Sequence, residues 1–84
     1  MQERMAERPG LYPPPNAVIV RIERFRSRCQ DAPERLKCHE IRVWCIENCR
    51  DHVYVGWEFA SDYFRPVVRC ANPVDAVKVA LRWV

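Results

Sequence analysis

The chain is expected to be an α+β domain, a three- to four-stranded antiparallel sheet with one C-terminal helix packed on one face. Three observations predict this. Residues 39 to 60, HEIRVWCIENCRDHVYVGWEFA, alternate in two arms. Ile41, Val43 and Cys45 share one side of the first arm, and Val53, Val55, Trp57 and Phe59 one side of the second, the period of half-buried strands. The polar stretch between the arms, Glu47 to Asp51, holds the turn formers Asn and Asp, so the two arms predict one long hairpin. Asn72-Pro73-Val74-Asp75 then has the grammar of a helix start, with Asn at the cap, Pro at the first position and an acid at the third.

Taken in order, residues 1–16 form an N-terminal Pro-rich arm and residues 17–84 a single β-β-β-α domain. Leu11-Tyr12-Pro13-Pro14-Pro15 is extended, because successive prolines fix φ and remove amide donors. Ala17 to Phe25 is the first strand, with Val18, Val20 and Ile22 on a dry side and Ile19, Arg21 and Glu23 on a mixed one. Beyond Ile22 the dry side would pass to Arg24, Arg26 and Arg28, which cannot be buried unpaired. The strand must therefore bulge there or run past the rim of the core. Residues 27–38 lack strand period, and Asp31-Ala32-Pro33-Glu34-Arg35-Leu36 within them suits a single helical turn. Ser61 to Pro66 reads as a turn and Val67 to Cys70 as a short edge extension, limited by Pro66.

On a helical wheel the C-terminal element places Asp75, Lys78 and Arg82 together, and its apolar residues span about 220°, more than packing on a sheet requires. Val77, Ala80, Leu81 and Val84 are expected to face the strands, leaving Val79 and Trp83 on a flank. That flank is covered either by the Leu11-Tyr12 arm or by a second protein, including a homodimer through the C-terminal helix.

Size and composition restrict function. A chain of 84 residues has one thin core, which leaves little room for a deep substrate cavity. The net charge is +3, and twelve of the fourteen basic residues are Arg, suited to planar contact with carboxylate or phosphate. Charges in MQERMAERPG with no following apolar run argue against a signal peptide, and no stretch approaches the ~20 apolar residues that cross a bilayer. The five cysteines fall in no spaced disulfide framework, which suits a reducing cytoplasm with the thiols free.

Chemistry is sparse. Cys29, Cys38, His39, Cys45 and Cys49 supply soft ligands, but without a C-x2-C knuckle a zinc-stabilised module is a minor alternative and no cofactor is expected. Whether Cys29, Cys38, His39 and Cys49 bind a metal, or Cys29 and Cys38 pair as a disulfide, stays open. Cys38 and His39 are neighbours on a predicted strand and so project to opposite faces, against a catalytic couple. With two glycines in all and no oxyanion loop, an enzyme is not expected.

What remains is the open face of the sheet, expected to show Arg21, Arg42, Trp44 and Tyr54, with Trp57 interior. Aromatics interleaved with Arg suit a protein interface or base stacking with phosphate neutralisation. Arg24, Arg26 and Arg28 would form a cationic rim that steers approach.

The strand, strand, strand, helix order, with VVRCANPVDAVKVAL leading into the last element, resembles the double-stranded-RNA-binding fold without its first helix, although Asn72-Pro73-Val74-Asp75 lacks that family's basic helix start. By size and topology the chain also resembles small phage-encoded anti-CRISPR-type inhibitors. That resemblance implies a non-enzymatic protein that binds and occludes a host nucleic-acid-handling complex. The alternative is a small basic nucleic-acid binder using the same face.

Overall fold

A computed structural model describes residues 13–28 and 37–84. Its elements are strand β1 (Val18–Arg21), a single 3-10 turn (Glu23–Phe25), helix α1 (Lys37–Asn48), strand β2 (Val53–Ala60), strand β3 (Tyr63–Cys70) and helix α2 (Pro73–Trp83). The sheet is antiparallel with order β1-β3-β2. The α+β class and the C-terminal helix are as the sequence predicts, and a second helix is added. The connection is β-α-β-β-α, the split βαβ arrangement without a last strand, in place of the expected β-β-β-α meander.

The largest correction lies at residues 37–48. The first arm of the expected hairpin is a helix, so the resemblance to the RNA-binding order does not survive. The reason is in the cysteines. Cys38, Ile41, Cys45 and Cys49 recur at spacings of three and four, the helical repeat, and a free cysteine packs as a small apolar side chain. Cys38, Ile41 and Cys45 are buried, whereas Val43, which strand alternation would bury with them, is exposed.

The true hairpin is β2–β3, closed by Ser61-Asp62 between the paired Ala60 and Tyr63. Ser61 has φ 57°, the positive value that two-residue hairpin turns demand. β3 is thus the central strand rather than a short edge, and Pro66 sits within it. A central proline is tolerated because β1 leaves the sheet opposite it. Ile22 N–H donates to the Pro66 carbonyl at 3.0 Å, the chain makes its 3-10 turn, and Ser27 returns to exchange two hydrogen bonds with Phe64 (2.9 and 2.7 Å). The break foreseen after Ile22 takes this form.

Residues opposite one another share a face. Val20, Val68, Val55, Val53 and Cys70 point to the side that carries both helices and form the core with Ile22, Ile41, Cys45, Ala76, Val79 and Trp83. Helix α2 is rotated from its expected setting: Val79 and Trp83 are buried, while Val77, Leu81 and Val84 are exposed. The rotation is fixed by Asp75, expected on the polar outer stripe and in fact fully buried. Its carboxyl oxygens accept from Arg50 N–H (3.0 and 3.1 Å) and Asp51 N–H (3.0 Å), so it holds the loop that leaves α1. Lys78, one turn on, donates to the Asn48 carbonyl at 3.1 Å, and α2 thereby satisfies the C-terminal end of α1. Asn72 caps α2 as predicted, accepting from Val74 N–H at 2.8 Å, and its amide donates to Asp51 at 2.8 Å.

Candidate interaction surface

The two tryptophans exchange the places expected of them. Trp57 is 44% exposed and sits edge-on to Phe64, centroids 4.9 Å apart, beside Phe59 at the distal end of the hairpin. Trp44 lies on α1, half-buried, and meets Trp83 edge-to-face at 6.2 Å. The inward parity of Trp57 and Phe59 is correct, but the helical cover stops short of them. Arg42 also belongs to α1, where it donates to the Val55 carbonyl at 3.1 Å on the free edge of β2. Neither Arg42 nor Trp44 lies on the sheet's open face.

Arg21 and Tyr54 do. The face away from the helices carries Ile19 and Arg21 from β1, Tyr54, Gly56 and Glu58 from β2, and Tyr63, Arg65, Val67 and Arg69 from β3. Among the described residues no helix covers it. Val67 is fully buried there without belonging to the helix-covered core. Its ladder neighbours are Arg21 and Gly56, and the Tyr54 ring lies over Gly56, 3.0 Å from where a β-carbon would stand. Arginine stems and a tyrosine ring thus roof an apolar floor while their polar ends stay wet.

The polar ends form one network. Glu58 accepts from Arg21 Nε at 2.9 Å and from Arg65 Nε at 2.8 Å. Arg65 also pairs with Glu23, which accepts from the Tyr63 hydroxyl at 2.9 Å. The Arg26 guanidinium lies 5.1 Å over the Tyr63 ring, and Arg28 faces Asp62 at 3.9 Å. Arg26, Arg28, Asp62 and Tyr63 line an open cleft of about 290 Å³ at the hairpin tip. Partial burial alone would push the Glu58 carboxyl up, but the hydrogen bonds from Arg65 and Arg21, reinforced by their charges, hold it below its usual range. Arg24 stands apart, stacked 5.1 Å over Phe25, so the expected rim of three arginines divides into two and one. Tyr63, Arg65 and Arg69 were missed, although Tyr63-x-Arg65-x-Val67-x-Arg69 alternates as plainly as the segments taken for strands.

The thiols make a second grouping with a different meaning. Burial, then the neighbouring Cys49, lifts Cys45 well above the usual thiol range, and burial with Cys49 and Asp75 nearby pushes Cys70 up to about 12. Cys49 is raised as well, by burial and then Asp75. Thiols held this way stay protonated at neutral pH and make poor nucleophiles and ligands. Cys38 donates to the Gly56 carbonyl at 3.4 Å. Among the described residues no three His, Cys, Asp or Glu side chains stand close enough to hold a metal ion. Cys29, and with it the Cys29–Cys38 pairing, lies outside the described residues, as do Leu11, Tyr12 and the helical turn expected at 31–36.

No helix among the described residues is long and apolar enough to cross a membrane. No family model, curated protein or solved structure matches the chain.

Proposed function

We propose that the chain is a non-enzymatic protein-binding module that acts by docking and occlusion through the open face of its sheet, contacting its partner with Arg21, Tyr54, Arg65 and Arg69 and guiding approach with Arg26 and Arg28. A phage inhibitor of a host CRISPR-type complex is one member of that class. The observation that carries the reading is the state of the face itself. Five arginines (Arg21, Arg26, Arg28, Arg65, Arg69) share the face with three acids (Glu23, Glu58, Asp62); Arg21, Arg65, Glu58 and Glu23 are tied into one network beside the buried Val67, and Arg26 is stacked on Tyr63. A pre-ordered, mixed-charge surface with aromatic rings suits a protein interface, where ordering costs on binding are small.

Nucleic acid fits this face less well. Phosphates would have to displace Glu58 and Glu23 from their arginines, Tyr63 already carries Arg26 on its ring, and Tyr54 lies along the strand over Gly56. The Tyr63 ring is thus already taken by a cation where a base would stack.

The test compares wild type with Arg65→Glu. In pull-downs from host lysate, wild type is expected to retain a defined protein partner and Arg65→Glu to lose at least about tenfold in affinity for it. Gel-shift titrations with single- and double-stranded nucleic acid over a salt series are expected to show no specific complex. A complex that weakens steeply with salt and survives nuclease-free purification would replace this reading with nucleic-acid binding.

A further inference from the structure

Helix α2 is apolar on two sides. One side, Ala76, Val79 and Trp83, is in the core. The other shows Val74 and Val77, each 58% exposed, Leu81 at 84% and Val84 at 64%. Their spacing is three, four, three, which is the seam of a two-stranded helical pairing.

We infer that this stripe is a self-association surface, on which a second copy of the chain packs its own α2 in a two-fold dimer. The seam is self-complementary, as an isologous interface must be, because each copy offers the same knobs at the same repeat. The two cations of α2 do not guard it. Lys78 is turned back to the Asn48 carbonyl (3.1 Å) and towards Asp75 (4.0 Å), and the Arg82 guanidinium lies 4.2 Å over the Trp83 ring. Two stripes therefore meet without like charges being forced together. Beside Leu81 runs an open groove of about 380 Å³, lined by Trp44, Asn48, Lys78, Leu81 and Arg82.

Area sets the strength. The four side chains expose roughly 400 Å² per copy, a contiguous apolar patch of the size that functional surfaces show, so a dimer would bury about 800 Å² from them and somewhat more with the groove. That is at the low end for specific association, so the dimer should be concentration-dependent, with dissociation in the micromolar range. It would display two copies of the open sheet face and add avidity towards a partner with repeated sites. Self-association does not depend on the proposed function, since it is measured on the purified chain alone.

Sedimentation velocity of the purified chain from about 5 µM to 1 mM is the experiment, chosen to bracket micromolar association. Wild type is expected to shift from monomer to dimer across that range, Leu81→Glu to stay monomeric with an unchanged circular dichroism spectrum, and Arg65→Glu to dimerise like wild type. Val77→Glu is the second variant, to be used if Leu81→Glu loses structure. A monomer at 1 mM, or a dimer that survives both substitutions, overturns the inference. Loss of partner capture by Arg65→Glu without loss of dimer would show the two surfaces acting separately.

Discussion

Helices α1 and α2 lie on the same face of one sheet and contribute to the same core, yet they are specified in different ways. Helix α2 carries its own instructions: Asn72 caps it, Pro73 opens it and its side chains repeat at helical spacing. Helix α1 borrows them. Its C-terminal carbonyl at Asn48 is taken by Lys78, and the amides that follow are taken by Asp75, both from α2. Its buried side carries two thiols and one isoleucine, with none of the leucines that usually announce a helix. The difference teaches that a helix can be imposed by its neighbour when its own pattern is ambiguous between periods of two and 3.6.

The strongest way to break this arrangement is Asp75→Ala. Two backbone amides would lose a charged, fully buried acceptor and α1 its anchor, for an expected loss of about 3 to 5 kcal/mol, read as a lower urea midpoint at unchanged slope. Asp75→Asn keeps one acceptor oxygen and should recover part of that loss. A change below about 1 kcal/mol in the Ala variant would show that α1 is held by other means.

A sharper discrimination sets Ile41 against Val43. Both would point inward from a strand, but the helix buries the first and exposes the second. Ile41→Ala is expected to cost about 3 kcal/mol and Val43→Ala less than about 0.5, in the same unfolding assay. Equal losses would restore the strand.

The parts of the fold that were legible are those whose local and tertiary signals agree. Val53, Val55, Trp57 and Phe59 alternate and do share a face, and Asn72-Pro73 does start a helix. Residues 39–46 misled because Ile41, Val43 and Cys45 satisfy a period of two while Cys38, Ile41, Cys45 and Cys49 satisfy the helical one. β3 was hidden by Pro66, which reads as a strand breaker until the departure of β1 opposite it is known. Of the candidate surface, Arg21 and Tyr54 were legible from strand parity. Arg65 and Tyr63 were lost with β3, and Arg42 and Trp44 were misplaced with α1. The outer stripe of α2 was visible as an excess of apolar residues, but which side faced out depended on burying Asp75, and no wheel would place a carboxyl group in a core.

The smallest effect separates the two faces of the sheet, one held by burial and the other by charge. The folded Glu58 carboxyl titrates below its unfolded value of about 4.3, because Arg21 and Arg65 favour its ionised form. Its contribution is therefore complete above the unfolded value and is lost as pH falls through the lower folded one. Measured against Glu58→Gln, wild type should be more stable at pH 7 by less than about 1 kcal/mol, since the pair is partly exposed and screened by salt. That advantage should fade as pH falls below the unfolded value of about 4.3 and through the lower folded one, and shrink in concentrated salt. The Ile41→Ala difference, which rests on packing, should stay level across the same range. A Glu58 advantage that persists or grows in acid would mean that its carboxyl packs rather than pairs, and the open face would then be ordered by the same force as the core.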